Sequence, residues 1–428
     1  MSEQWRTTRL SDHTDIAIGG TPSRAMPAFW ATKPTGHPWL AISDLRSKYL
    51  ADTREHISDL GVRASNVKLI PAGSTVMSFK LSVGRTAITM QPMYSNEAIA
   101  AFLPRSDAIN SAWLYHVLPR AAGTVVTDSA VKGVTLNKAK MAEMTVLLPS
   151  PAEQKTIARV LDTLDTTIRQ TEAIIEKLKH VKQGLLHDLL TRGIAANGEL
   201  RPPQAEAPHL YKESPLGWIP QEWECKTFGD LCESSAFGPR FPSDAYDENG
   251  PLATLRTTDM DDEGRISLST MPRTAIKPSV FADHLLQQGD IVISRSGTCG
   301  VTGVFNGHEI PVVPGAFLIR FRLRDARLNR FYRRYFNSSL GRPYLERLAV
   351  GGVQKNIKGS DVLCLQLPAP TPFEAVKIAE RVESVENDVE SNQQLLAKLL
   401  LQKSGLMDDL LTGRVRVTPL LQEGTASP

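Results

Sequence analysis

Cysteine is scarce in this chain of 428 residues: there are four, Cys225, Cys232, Cys299 and Cys364, none in CxxC spacing and none in the first half. That pattern excludes a disulfide framework and points to a reducing compartment, the cytoplasm. No run approaches eighteen apolar residues, so no membrane-spanning helix and no membrane partner is expected. The opening MSEQWRTTRLSDHTDIAIGG lacks a basic stretch followed by an apolar core, so no secretory signal is expected either. Net charge is only +3, which neither requires nor excludes nucleic acid, because local patches outweigh the sum. What remains, 41% hydrophobic and 22% charged residues, is the composition of a folded soluble chain long enough for roughly two to four domains.

Catalytic signatures are missing as well. A phosphate-cradling P-loop needs Gly-Lys, and that dipeptide never occurs. There is no HExxH, no Cys/His spacing for zinc and no GxSxG elbow. The only Pro-Pro lies in Arg201-Pro202-Pro203-Gln204, without the aromatic that an amino-methyltransferase motif would carry. His180 and His187 share one helix seven apart and read as a solvated face; DMDDEG (259–264) lacks EF-hand spacing and reads as a solvated turn. No catalytic residue and no metal ligand is expected in this chain.

The sequence does contain a copy of itself. GLLHDLLTRG (184–193) and GLMDDLLTGR (405–414) match at a shift of 221, which also pairs Glu153 with Glu374, Ile157 with Ile378 and Lys182 with Lys403. Upstream the shift becomes 219, pairing Asn137 with Asn356 and LPSP (148–151) with LPAP (367–370); Thr371-Pro372 is the extra length of the second copy. The chain is an internal duplication.

Each copy of the repeat reads as one long helix. Ile157, Leu161, Leu164, Ile168, Thr171, Ile175 and Leu178 alternate steps of four and three, and Ile378, Val382, Val385, Val389, Asn392, Leu396 and Leu399 repeat that seam. If the two helices pair antiparallel, the polar seam residues Thr171 and Asn392 meet near the middle and set register. At about 1.5 Å per residue each helix would be on the order of 60 Å long. Residues 195–218, rich in Pro, Gly and Ala, read as a linker. The bodies before each helix, 1–151 and 219–371, mix short β-type runs with Gly/Pro/Asp turns and match only faintly, as Gly73, Val76, Ser78 and Gly84 match Gly289, Val292, Ser294 and Gly300. Helix segments 152–194 and 372–414 and a tail 415–428 complete the division. The expected fold is α+β: two mixed α/β bodies separated by two long antiparallel coiled-coil helices, with pseudo-two-fold duplication.

SFKLSVGR (78–85) and SRSGTCG (294–300) follow equivalent strands and offer hydroxyls, cations and glycines suited to phosphate oxygens and base edges. VKGVTLNK (131–138) and GGVQKNIK (351–358) repeat a basic Gly-Val loop before each helix, and 319–336 carries seven arginines interleaved with aromatics, another candidate for nucleic-acid contact.

Taken together, the repeats LPSPAEQKTIARVLDTLDTTIRQTEAIIEKLKHVKQGLLHDLLTRG and LPAPTPFEAVKIAERV, with GGTPSR (19–24), ESPLGWIPQEW (213–223) and GGVQKNI, resemble the specificity subunit (HsdS) of type I restriction–modification systems. The resemblance covers essentially the whole chain; Glu374-Ala375 in place of the Glu153-Gln154 pair is the departure of the second copy. It implies two target-recognition domains, each reading half of a bipartite double-stranded DNA target. It further implies two methyltransferase subunits using S-adenosylmethionine docked on the helices, and restriction/translocase subunits using ATP and Mg, with no cofactor on this chain. On that basis the expected DNA contacts are Thr21, Arg24, Ser78, Lys80, Ser82, Arg85 and Lys132 in the first body. In the second they are Arg240, Ser294, Arg295, Ser296, Thr298, Lys355 and Asn356. Leu185, Leu186, Leu189, Leu190, Leu406, Leu410 and Leu411 are the expected partner-docking residues. The competing reading is a coiled-coil scaffold that gathers partners without touching DNA.

Overall fold

The structure, a computed structural model, describes residues 5–127, 136–351 and 355–423. The chain forms two compact units, Met1–Glu172 with Gln394–Pro428, and Ala173–Gln393. Both boundaries fall inside the long helices, Pro151–Thr191 and Pro372–Thr412, each of 41 residues and each continuous. Each unit therefore owns one sheet-containing body, the first half of one helix and the second half of the other.

In the first unit a five-stranded sheet runs Thr14–Ile18, Ile99–Pro104, Thr75–Ser78, Thr86–Thr89, Tyr49–Leu50, antiparallel except for the last pair. Alternation along the strands divides the apolar residues between two cores. Met77, Ala100 and Phe102 face the helix Ser111–Thr127 through Trp113, Leu114 and Leu118. Val76, Ile99 and Ala101 face Leu40, Leu50 and Met93 on the other side. Ile157, Ala158 and Leu161 of the first long helix share the former core with Leu410 and Leu411 of the second. The Lys403 ammonium lies 2.5 Å from an Asp165 carboxylate oxygen, and with those leucines it fixes the antiparallel pairing of the two helix segments in this unit.

The second unit repeats the plan. Its four-stranded sheet runs Cys232–Phe237, Leu318–Leu323, Ile291–Ser294, Thr302–Val304, the order of the corresponding strands in the first unit. Ile291, Ile293 and Phe321 face Phe331, Tyr332 and Phe336 of the helix Asn329–Asn337, while Val292 and Leu318 face Ala253, Leu255 and Phe305. Leu189 and Leu190 meet Ala375, Ile378 and Val382 in that core.

Equivalent carboxylates lock each helix start. Glu153 accepts from Arg416 at 2.7 and 2.9 Å and from the Trp5 indole at 3.1 Å. Burial pushes the Glu153 carboxyl up, but the hydrogen bonds of Arg416, Ser150 and Trp5 outweigh it and hold the group below its usual range. In the second unit Glu374 pairs at 2.5 Å with Arg201 and accepts at 2.7 Å from the Ile194 amide. Gly193 and Gly413 take φ of +64° and +72° just past the helix ends, the left-handed turn that stops a helix. A Cβ on Gly413 would lie 2.9 Å from the Trp5 ring, and one on Gly193 2.2 Å from Glu374, so both positions also require glycine for space.

Two expectations are corrected. Leu189, Leu190, Leu410 and Leu411 are buried and Leu185, Leu186 and Leu406 pack half-buried against the same cores, so these leucines close the chain's own units and are not open docking faces. The run 195–218, expected as a linker, carries ordered structure: the buried Arg201 and most of a hairpin of Tyr211–Ser214 with Gly217–Pro220. Thr171 and Asn392 each bond back to a carbonyl of their own helix, Thr167 and Asp388, at 2.8 Å. The seam itself holds, with Ile157, Leu161, Ile168, Ile175, Ile378, Val382 and Leu399 buried.

Candidate nucleic-acid interface

The two Ser-to-Gly loops are closed by the same bonds. The Ser78 hydroxyl donates to the Ser82 carbonyl and accepts from the Arg85 amide at 3.2 Å, while the Gly84 amide donates to the Ser78 carbonyl at 2.9 Å. In the second unit the Ser294 hydroxyl donates to the Thr298 carbonyl and accepts from the Val301 amide at 2.9 Å, and the Gly300 amide donates to the Ser294 carbonyl at 2.8 Å. Gly84 and Gly300 have φ of +90° and +88°, and Leu81 and Gly297 have φ of +63° and +76°. Ser78 and Ser294 are buried, and their hydroxyls are engaged in closing the loops. They are therefore staples of the loop and not groups that reach DNA, a correction to their assignment.

Their neighbours differ. In the first unit Lys80 is half-buried and Arg85 exposed, and neither makes an ion pair among the described residues. Ser82 is half-buried beside them. Thr21 donates to Glu97, and Arg24 forms a two-pronged pair with Glu55, its guanidinium 3.8 Å above the Trp30 ring. Any DNA contact by Arg24 has to compete with that pair. Arg85 also lines a cleft of about 650 Å³ with Arg46, Lys48, Tyr49, Tyr115 and Arg169. There Asp162 accepts from His116 at 2.8 Å and from Lys48. These carboxylates, with Asp165, lie close enough to His116 to suggest a cation, but the ammonium groups of Lys48 and Lys403 already sit on them. The cluster ties the body to its long helix. Lys132 lies outside the described residues, as does most of its loop.

In the second unit the residues converge. Arg295 donates from Nε to Asn356 at 2.9 Å and stacks 4.8 Å from the Phe237 ring. Ser296 and Asn356 form a backbone bridge, the Ile357 amide reaches the Arg295 carbonyl at 2.9 Å, and Cys299 lies against the Lys355 carbonyl. Thr298 and Lys355 are exposed. Exposed Arg240 borders an adjoining cavity of about 640 Å³ with Phe241, Tyr246, Arg256 and Phe317. A guanidinium held by a ring below and an amide at its side is oriented for bidentate hydrogen bonding to a guanine edge or a phosphate.

Other candidates fall away. Of the arginines in 319–336, Arg320 is buried against Ser234, Arg322 binds Asp290 with two hydrogen bonds of 2.8 Å, and Arg327, Arg330 and Arg334 pair with Asp325, Glu383 and Glu386. The segment is a core strand followed by a helix in which Arg330 and Arg334 are ion-paired within the chain, while half-buried Arg333 and exposed Arg324 make no ion pair among the described residues. Asn137 and Asn356 are not structural equivalents either: Asn137 caps the helix Lys138–Ala142, whereas Asn356 orients Arg295. The bond from the Leu136 amide to the Phe79 carbonyl, 3.1 Å, matches the one from Ile357 to Arg295 and sets the true shift at 221 here. Asp259 accepts from Arg256 and Thr270 and so belongs to a structural turn. Sequence reasoning missed Phe237, at the end of a strand, and Phe241, Tyr246 and Phe317, because isolated aromatics carry no periodic signal.

Two bodies of one topology, each presenting the same stapled loop with different side chains, define a duplicated reading protein. The chain belongs to the family of the type I restriction modification DNA specificity domain, whose model matches residues 2–180 and again 220–401. The family is one of non-catalytic specificity subunits. Among its relatives is the type I restriction enzyme MjaVIII specificity subunit of Methanocaldococcus jannaschii, 22% identical over 98% of this chain and 94% of that one. The EcoBI specificity subunit of Escherichia coli is 21% identical over 81% of this chain and 75% of that one. The fold is that of the type I restriction-modification S subunit from M. genitalium (TM-score 0.55, 14% identity, 96% of each chain). It is shared too by the HsdS subunit from Thermoanaerobacter tengcongensis (TM-score 0.52, 16% identity, 97% of this chain and 98% of that one). Among the described residues no helix is long and apolar enough to cross a membrane.

Proposed function

We propose that this chain is the sequence-reading subunit of a type I restriction–modification complex, each body engaging one half of a bipartite double-stranded DNA target. One observation carries the reading: the same stapled loop is built twice, with Lys80, Leu81 and Arg85 in one copy where Ser296, Gly297 and Val301 stand in the other. Keeping a loop and varying its side chains is what two readers of unlike half-sites require. In this reading Lys80 and Arg85, and Arg240, Arg295, Lys355 and Asn356, meet phosphate or base edges. The continuous helices set the half-site spacing, and two methyltransferase subunits dock on them. Exposed apolar positions open to docking include Ile174 and Leu395, on equivalent places of the two helices, with Val181, Leu400 and Leu401, rather than the buried leucines. S-adenosylmethionine, ATP and Mg belong to the methyltransferase and restriction/translocase subunits. A scaffold that never meets DNA would leave without a role the oriented Arg295, and Lys80 and Arg85, which make no ion pair among the described residues.

The test is binding of the co-expressed complex to a library of duplexes at stepped salt. Selective retention of a two-part motif, with affinity falling steeply as salt rises, is the expected result. Binding without sequence preference, or none, would return the chain to the scaffold reading.

A further inference from the structure

Leu81 is the only non-glycine residue with a positive φ among the described residues, and it is 94% exposed. Both facts are unfavourable. The left-handed region brings Cβ of an L-residue against its own carbonyl, and an apolar side chain in water gains nothing from burial. The fold does not ask for leucine here. The sister loop has the same serine staple and glycine closure and places Gly297 at the same position, with a positive φ and open space where a side chain would stand. Its tip turn closes from Cys299 to Gly297, where the first loop closes from Ser82 to Lys80. Strain held at an exposed loop tip, with no contact among the described residues to offset it, marks a group whose contact lies outside the chain.

The surroundings say what kind of contact. Lys80 precedes Leu81 and Arg85 follows four residues on, both without an ion pair among the described residues, and the field of Lys80 already reaches Glu97. One apolar group between two such cations is the pattern of a groove contact, with the cations on phosphates and the apolar group on a base. We propose that Leu81 makes an apolar contact with a base in the half-site engaged by the first body, as a specificity-determining residue with no counterpart in the second body. This rests on the DNA-reading function proposed above. Two sources share that chemistry, a thymine C5-methyl group in the major groove and the face of an unstacked base.

The experiment uses the full chain assembled with its methyltransferase subunits and the Leu81→Gly variant. That change relieves the backbone and copies the sister loop, so the variant should fold as well as the parent; a thermal melt checks this. Affinity for the cognate duplex should fall roughly ten-fold or more, and discrimination should be lost at one or two positions of one half-site only. The log–log dependence on salt should keep its slope, because no phosphate contact is removed. Deoxyuridine replacing thymidine along that half-site locates a methyl contact: the parent loses affinity at one position and the variant is indifferent. A 2-aminopurine scan that brightens with the parent alone identifies an unstacked base instead.

Unchanged affinity and discrimination in Leu81→Gly overturn the inference. So does a variant that assembles poorly with the methyltransferase subunits yet binds DNA normally once assembled, since Leu81 would then face a protein. If the parent complex itself binds no specific DNA, the underlying function fails first and takes this inference with it.

Discussion

The paired locks at the helix starts give a quantitative test. Glu374 and Arg201 have side chains only 7% and 4% exposed, and the Ile194 amide adds a third member. Glu374→Gln keeps the shape but leaves a buried guanidinium without its charge partner. Breaking such a pair costs about 3–5 kcal/mol; Glu222, 3.2 Å from Arg201, remains and argues for the low end. Glu153→Gln is milder, because Arg416 is 28% exposed and water can take over part of its solvation. We expect about 1–2 kcal/mol there. At about 2–4 °C per kcal/mol for units of this size, Glu374→Gln should lower its unit's melting temperature by roughly 6–12 °C and Glu153→Gln by roughly 2–8 °C. Calorimetry on the two variants makes the comparison, with Arg201→Met/Glu374→Met as a control that should lose less than Glu374→Gln alone. A Glu153→Gln loss equal to or above that of Glu374→Gln would refute the burial argument.

Other outcomes follow from the same contacts. The folded Glu153 carboxyl titrates below its ordinary value of 4.5, so its stabilising contribution is complete above that pH and disappears as pH falls through the folded value; Glu153→Gln should flatten the acid limb of a stability–pH curve, and an unaltered limb would remove Glu153 from that account. Leu190→Ala and Leu410→Ala, both in buried cores, should each cost about 2–5 kcal/mol in denaturant titration, whereas Ile174→Glu and Leu395→Glu should leave stability nearly unchanged and weaken recovery of methyltransferase subunits on co-purification. The reverse pattern would put the docking surface back on the helix ends. Lys80→Ala and Arg85→Ala should each lower the log–log salt slope of DNA binding by roughly 0.9 if they meet phosphate, and Arg295→Ala should cost about 1–3 kcal/mol of discrimination at one base pair if it meets a guanine edge.

The duplication, the two long helices with their seam, and the placement of the paired loops were legible because each leaves a periodic or repeated trace: steps of three and four for the helices, a constant shift for the copies. The covering of an apolar face leaves no such trace. Leu189 and Leu410 announce an amphipathic stripe, but whether a partner or the chain's own body lies over it depends on contacts with Trp223 or Trp5, far away in sequence. Direction is equally hidden. Ser78 and Lys80 stand two apart in one loop, yet the first hydroxyl turns inward to staple it and the second side chain has no ionic partner among the described residues. The arginines of 319–336 looked like a basic surface because sequence shows the cations without Asp290, Glu383 and Glu386 beside them. Arg201 and Arg416 do equivalent work on Glu374 and Glu153 although no shift aligns them, which only folding reveals.

The central claim is that one scaffold carries two independent readers. Mapping of DNA methylation in cells that express the chain with its methyltransferase subunits tests it most directly, repeated with Lys80→Ala/Arg85→Ala and with Arg295→Ala. The account predicts a bipartite motif with a spacer of fixed length that is absent without this chain. It also predicts that the first variant relaxes one half of the motif and the second variant the other half. A methylation pattern indifferent to the chain, or both variants relaxing the same half, would contradict it.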